Sequence, residues 1–489
     1  MNPRGHRSRG LRAAHSAPSR LPFAHWHALQ VFRQLSTFAY PADLVLHRYF
    51  RAAQQLGRRD RQTLAERAYY MLRHHRRLLH DAEAAKPPAG WPAHEPWDAA
   101  AQLLQAVLAE EADAAVGATS RPSHPVAVSL GGGEHALPDP VRYSLPDWLH
   151  ARLQAQHAHD HEAARALFAA LLVPAALDVR VAVWHPALSG GGSQLAGGDE
   201  AAHHHGVPSA PAASGGAVAR AIALLAEDGI RADACAGMPY ALRIAGKPAL
   251  EQARAFTSGL IEVQDAGSQV IAALLAPRRG QVVVDFCAGA GGKTLAIGAA
   301  LRNTGQVFAC DVSAARLARL KPRLVRAGLS NVQPIVIADE RDPKLAKLVG
   351  KADAVLVDAP CSGSGTLRRN PDLKWRFTER DLGEVIALQA RILRAAASLV
   401  RAGGWLVYAS CSLVRAENEE QVLAFLADTP DFVAEPPGPV LDAQHIALGQ
   451  GMLDPQSGLH IWRSDIVRDG CDAFFAVRMQ RRHRGAGSI

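Results

Sequence analysis

Val282-Val283-Val284-Asp285-Phe286-Cys287-Ala288-Gly289-Ala290-Gly291-Gly292-Lys293-Thr294 runs from three valines through a glycine cluster into the apolar Leu295-Ala296-Ile297. The valines read as a buried strand, because β-branched side chains suit a sheet covered on both faces. The glycines read as a tight turn, since a residue without Cβ accepts positive φ and lets a ligand approach the backbone. A helix then follows. Working outward, apolar segments at Gln306–Asp311, Val332–Ala338, Ala354–Asp358 and Trp405–Ala409 repeat the strand pattern. Helical stretches such as Ala314–Arg326 and Glu379–Val400 fill the intervals. A last strand, Phe474–Met479, is expected to run antiparallel. Alternation of strand and helix predicts an α/β fold with a doubly wound sheet over 263–482.

Acids end successive strands of this pattern: Asp285, Asp311, Asp358, and Asp339 one residue past its strand. In a parallel sheet those ends line one edge, where ligands bind. The loop is neither G-x-G-x-x-G nor a phosphate-binding G-x-x-x-x-G-K-[ST], because its first glycine stands too close to Gly292-Lys293. Acidic strand ends suit a nucleoside better than a triphosphate. S-adenosylmethionine, with a ribose and an amine but no phosphate, matches that charge.

Two cysteine segments lie further along: Asp358-Ala359-Pro360-Cys361-Ser362-Gly363, and Ser410-Cys411-Ser412 followed by Glu417-Asn418-Glu419. Each follows a strand, so both thiols are expected at the ligand-binding edge. A pair of thiols beside a methyl-donor pocket points to covalent chemistry on a base. Cytosine C5 is a poor nucleophile until a thiolate adds to C6 and makes the ring enamine-like. Asp358, in protonated form, is a candidate donor to N3, and Lys293 a candidate to lower a thiol pKa or orient the base. Spacing leaves open which thiol attacks, and Pro360-Cys361 resembles the Pro-Cys nucleophile of DNA cytosine-5 methyltransferases. The competing reading is two inert buried cysteines. Cys235, Cys310 and Cys471 lack such context and are read as structural, and Cys287 as packing within the loop.

The chain has 489 residues, 48% of them hydrophobic, enough for several domains with sizeable cores. Its formal net charge of +8 leans toward a polyanionic partner. No C-x-x-C pair occurs, so no metal is expected; no secretory leader and no apolar run of membrane-spanning length are read, and a cytoplasmic monomer is expected. Helical periodicity predicts helices over His25–Tyr40, over Leu44–Leu56 and from Arg61 with Asp60 as N-cap. Arg58, Arg59, Arg61, Arg67, Arg73, Arg76 and Arg77 crowd this last stretch as either a solvated face or a phosphate-contacting surface. Asp147–Leu172 is expected as one helix and Asp178–Trp184 as a strand. The Gly-, Ala- and His-rich stretch 189–216, with His203-His204-His205, is expected as a flexible insertion and 1–20 as a disordered basic tail.

Taken in order, these motifs resemble the RsmB/Nop/Sun family of RNA cytosine-C5 methyltransferases. Asp285 to Thr294 resembles the family's D-x-C-A-x-P-G-G-K-T loop, and Asp358 to Gly365 its D-A-P-C-S-G-x-G. Gln264-Asp265-Ala266-Gly267-Ser268-Gln269, Thr366 to Trp375, Ser410-Cys411-Ser412 and Cys471-Asp472-Ala473-Phe474-Phe475 complete the set. The resemblance implies a Rossmann-like class I methyltransferase domain. It also implies Cys411 as nucleophile, Cys361 as an aid to product release, and S-adenosylmethionine on Cys287, Ala288, Gly289, Ala290, Gly291, Gly292, Lys293, Asp311, Asp339 and Asp358. Residues 141–262 would carry an RNA-recognition-like module at 176–260. Leu56 to Leu78 resembles the NusB-like helical domain of the bacterial RsmB branch, which implies a helical domain over 21–140 and 16S ribosomal RNA as substrate; 483–489 is left as a tail. Transfer RNA is the alternative substrate, and a non-catalytic RNA-binding assembly factor the alternative class. Ala290 and Ala473 stand where the family carries proline and glycine, and Asp178 to Ala182 lacks its Asn after Arg-Val; a looser cofactor loop is expected. A target base must leave its stack, and Arg368, Arg369, Lys374 and Arg376 are expected to hold the flanking phosphates.

Overall fold

A computed structural model describes residues 21–83, 86–88, 91–92, 95–117, 137–182, 184–185 and 212–483. The basic tail 1–20, His203–His205, the 189–211 part of the expected insertion and 484–489 lie outside the described residues. The chain divides into two compact units, Met1–Ser144 and Leu145–Ile489.

The first unit is helical: α1 (Phe23–Leu35), α2 (Ala42–Ala52), α3 (Arg58–Ala82), α4 (Ala99–Gly117) and α5 (Asp139–Arg142). Leu29, Phe32, Leu64, Met71, Leu72 and Leu103 form its core. The N-cap of α3 is Gly57, not Asp60. Asp60 stands one turn inside, where its Oδ2 accepts the Gly57 N–H at 3.0 Å. Glycine brings no side chain to cap, so the acid three residues on satisfies the loose donor. Part of the arginine series takes neither of the two expected roles. Arg67 and Arg77 pair with Glu111 and Glu110 of α4 at 2.8 and 2.6 Å, and Arg73 is buried. Arg58 and Arg59 stay exposed.

In the second unit the expected helix Asp147–Leu172 is two helices, α6 (Asp147–Gln156) and α7 (His161–Ala170). Asp160 separates them: its Oδ1 accepts the Ala163 N–H at 2.9 Å and starts α7 afresh. A small antiparallel sheet follows, β1 (Leu177–Val181), β2 (Ala232–Ala234), β3 (Ala241–Ile244) and β4 (Ile261–Val263), in the order β2-β3-β1-β4. The helix Ala212–Glu227 packs on it through Leu225 against Val179 and Leu242. This helix takes in 212–216, the end of the stretch expected to be a flexible insertion.

The large sheet has nine strands: β5 (Val282–Asp285), β6 (Gln306–Asp311), β7 (Val332–Val336), β8 (Ala352–Asp358), β9 (Val400–Ser410), β10 (Phe432–Glu435), β11 (Gln450–Leu453), β12 (His460–Arg463) and β13 (Phe475–Arg481). The order is β11-β12-β13-β9-β8-β5-β6-β7, with β10 beside β13. From β7 across to β9 all pairs are parallel; β13 joins β9 antiparallel. β7 ends two residues before the expected Ala338, because the Ala338 N–H donates to Asp342 at 2.7 Å and leaves the ladder. The expected helix Ala314–Arg326 breaks into Ala314–Ala318 and Leu320–Ala327, since Pro322 has no N–H to return to the preceding turn. The chain leaves β5 toward β6 on one side and returns to β8 on the other. That reversal opens a crevice above the carboxyl ends of β5 and β8, where such sheets bind ligands.

Candidate functional site

The glycine loop spans that crevice. Gly291 caps the helix Gly292–Ala300 at φ 87°, and a Cβ there would stand 2.2 Å from Leu320 Cδ1, so only glycine fits. Gly289 also has positive φ, 56°, yet a Cβ on it would meet nothing within 4 Å: its backbone faces open space. The loop is tied from behind. The Gly289 N–H donates to Asp311 Oδ2 at 2.8 Å, Ala288 N–H to Cys310 O at 2.9 Å, and Arg323 donates to Ala290 O while pairing with Glu262. Ala290 is therefore anchored through its carbonyl where a looser loop was expected. Cys287 packs half-buried against the main core, and burial pushes its thiol well above the usual range.

The acids at the strand ends separate into different roles. Asp285 is fully buried and accepts from Thr294 Oγ1 at 2.6 Å, fastening β5 to the helix behind the loop. Burial pushes its carboxyl up to about 7. Asp311, also buried, accepts from Gly289 and Ser313 and pairs with Arg316 at 3.1 Å. Asp339 lies at an exposed turn and accepts the Arg341 N–H at 2.8 Å. Asp358 pairs with Lys293 Nζ at 2.7 Å.

Beside that ion pair stand the two thiols, with Cys361 Sγ 3.3 Å from Cys411 Sγ, although their segments come from β8 and β9. The parallel register sets Asp358 opposite Ala409, so the two loops leave adjacent strands at one level. The hydrogen bond to Cys361, then burial, then the electrostatic influence of Cys361 and of Asp358 hold the Cys411 thiol well above its usual range, and Lys293 opposes them. Burial opposes the Lys293 ammonium, but Asp358 outweighs it and keeps the amine protonated above the usual lysine range. Lys293 thus presents a charged N–H donor beside the thiols, next to Asp358.

The arginines expected to hold phosphates are turned inward. Arg368 is buried and donates to the carbonyls of Val173, Pro174 and Gly470. Arg369 bridges Asp265 and Asp472, each at 2.6 Å, and donates to Ala176 O. Lys374 is 1% exposed. Arg376 pairs with Asp372 at 3.1 Å. Arg368 and Arg369 thus fasten the segment after the first cysteine to its surroundings, while Arg376 pairs within that segment. Two further residues belong to the site without having been singled out: Arg323, which looked like one helix cation among several, and Glu417, quoted only as part of the second motif. The Glu417 side chain is fully buried between the cysteine loops.

Residues 272–480 match the model of the 16S rRNA methyltransferase RsmB/F family. Through those residues the chain is similar to members of the RsmB/Nop/Sun family. A probable ribosomal RNA small subunit methyltransferase B from Synechocystis sp. is 41% identical over 213 residues, 43% of this chain and 48% of that protein. The chain spans about half the length of the curated relatives it matches. The crystal structure of PH0851 superposes at a TM-score of 0.67 with 23% identity, over 95% of this chain and 99% of its own. NSun6 from Pyrococcus horikoshii, solved with SFG, gives 0.54 at 19% identity, over 69% of this chain and 98% of its own. These last two likenesses are of fold. Among the described residues no helix is long and apolar enough to cross a membrane, and no group of three or more His, Cys, Asp or Glu side chains is placed to hold a metal ion.

Proposed function

We propose that this protein is an S-adenosylmethionine-dependent methyltransferase that forms 5-methylcytosine in RNA, with small-subunit ribosomal RNA as substrate. The observation that carries the reading is the apposition of Cys361 and Cys411 at 3.3 Å beside the Lys293–Asp358 ion pair. An inert core cysteine needs neither a second thiol nor a part-buried charge pair. The substrate class rests on the RsmB/F match and on the Synechocystis relative named for small-subunit rRNA.

The crevice fits the cofactor. The open side of Gly289 offers backbone approach, Asp311 and Asp339 offer acceptors at strand ends, and no phosphate-binding loop competes. Residues 287–293 with Asp311, Asp339 and Asp358 would hold it, and NSun6, of like fold and solved with the S-adenosylmethionine analogue SFG, supports the use of this cofactor. When bound, S-adenosylmethionine supplies an electrophilic methyl group to C5. The protein's own part is covalent. Cys411 Sγ forms a bond to C6 as the C5=C6 electron pair shifts to C4=C5 and the C4=N3 pair moves onto N3, which takes up the proton the thiol gives away; that proton returns to the sulfur when the ring is restored. Lys293 donates a hydrogen bond that steadies the developing negative charge on the base. Once C5 carries the methyl group, a base removes the C5 proton. The electrons of that C–H bond restore C5=C6, and Cys411 departs as thiolate. Cys361, at hydrogen-bonding range, assists that departure.

The test is transfer of labelled methyl from S-adenosylmethionine to naked 16S rRNA, assembled small subunits and tRNA, with the product mapped by bisulfite. Label as 5-methylcytosine in 16S rRNA supports the proposal. Label confined to tRNA overturns the substrate, and no label in any RNA overturns the activity.

A further inference from the structure

We infer that Glu417 is a positioning residue that holds the two cysteine loops in register. Its side chain is 0% exposed, and it lies between the residues that follow each thiol. Oε1 accepts the Ser362 N–H at 2.7 Å and the Gln389 side-chain amide at 3.1 Å. Oε2 accepts the Ser362 hydroxyl at 2.6 Å and the Ser412 hydroxyl as well. One carboxylate thus grips Ser362, next to Cys361, and Ser412, next to Cys411.

The neighbours reinforce this grip. Ser364 Oγ lies 3.1 Å from Ser362 Oγ and 3.3 Å from Ser412 Oγ, and it accepts the Leu413 N–H at 2.8 Å. Gln389 also donates to Pro360 O at 2.9 Å, just before the first cysteine. The Glu417 carbonyl accepts from Tyr408 in β9 at 2.7 Å, and Asn418 donates to Ser412 O at 2.9 Å. The carboxylate is therefore satisfied by serine hydroxyls, one backbone N–H and an amide. A buried anion surrounded by neutral donors is costly to place, and it returns geometric precision: its lone pairs fix several donors at once. It does not touch either sulfur, so it acts through the two serines.

The consequence for turnover rests on the proposed thiol chemistry, but the geometry is testable without methyl transfer. Diamide takes one hydrogen from each thiol and leaves a disulfide, so the rate of Cys361–Cys411 cross-linking, read by peptide mass spectrometry, reports how often the sulfurs meet. In the full-length protein, Glu417→Ala is expected to slow this cross-link about tenfold, as for loss of charge-assisted bonds at a buried site. Glu417→Gln keeps the shape and one acceptor and should slow it about threefold. In both variants kcat should fall in step with cross-linking while S-adenosylmethionine affinity and KM for the cofactor stay as in wild type. Wild-type cross-linking in folded Glu417→Ala overturns the inference. If that variant does not fold, wild-type cross-linking in Glu417→Gln does so instead. A wild-type protein that never methylates RNA sinks the proposed function and leaves the cross-linking result standing.

Discussion

Arg369→Met separates a structural from an RNA-contacting role for the segment after Cys361. Arg369 holds Asp265 and Asp472 at 2.6 Å each, with both carboxylates less than a tenth exposed. Methionine keeps the apolar stem and removes the fork, leaving two buried acids facing each other. Breaking a buried pair from one side costs roughly 3–5 kcal/mol. Asp472 already sits at about 7, raised by burial and then by Asp265 against the pull of Arg369. Without the arginine it rises further, so the folded variant binds protons that the unfolded chain releases above about pH 4. Its stability therefore drops as pH climbs, and the deficit is larger at pH 8 than at pH 5.5. Urea unfolding at both pH values measures this, and adding Asp265→Asn and Asp472→Asn should recover most of the loss because no bare charge remains. RNA affinity of the folded variant, followed against salt, should keep its wild-type slope. Unchanged stability together with a salt slope shallower by about 0.7 would mean that Arg369 neutralises a phosphate, and the structural reading would be wrong.

At the thiols, Cys361→Ala should accumulate a denaturation-resistant protein–RNA band while Cys411→Ala forms none and loses methylation; the reverse pattern on a denaturing gel exchanges their roles. Asp285→Asn should stabilise the protein at pH 8 but little at pH 4. The native carboxyl, raised from 3.8 to about 7 by burial, forfeits stability as pH rises between those values, by about 4 kcal/mol at most, and thermal melts across pH would expose a flat difference if this is mistaken. Asp311→Ala should weaken S-adenosylmethionine binding by about tenfold or more, because it frees the Gly289 N–H and the Ser313 N–H from their acceptor. Calorimetry giving wild-type affinity would remove Asp311 from the pocket.

What the sequence made legible was whatever depended on local pattern. Val282–Val284, Val307–Cys310 and Ala354–Val357 are mostly buried, so each reads as an unbroken apolar run followed by an acid. The glycine loop and the cysteine segments follow those runs directly, and their place at the sheet edge came with them. Pairings across long separations were not legible. Arg369 reaches Asp265 and Asp472 over 104 and 103 residues, and nothing in Arg368-Arg369-Asn370 distinguishes a buried fork from a phosphate clamp. Asp358 could be placed at the sheet edge, yet its ion pair with Lys293, which arrives from another element, could not be read from spacing. Local competition also hid two boundaries. Asp342 draws the Ala338 N–H out of β7, and Pro322 divides a helix whose apolar spacing runs straight through it.

The resting site is chemically quiet, and its geometry explains how it becomes reactive. A thiol hydrogen-bonded to its neighbour and shielded from water holds its proton, and Asp358 adds negative charge nearby. Lys293 acts in the opposite direction, and it is tied up by Asp358 at 2.7 Å. Any base that accepts a hydrogen bond from Lys293 draws the ammonium away from Asp358 and toward the ring where charge will develop. A ring inserted against Cys411 also parts the thiols, removing the largest cause of the raised pKa. Both changes require an occupied crevice, so on the proposed chemistry nucleophilicity at Cys411 would be coupled to substrate rather than carried permanently. An exposed thiolate would be open to oxidation between turnovers. A paired neutral thiol held in place by the Glu417 serine network avoids that hazard and needs only a short shift of two sulfurs to react.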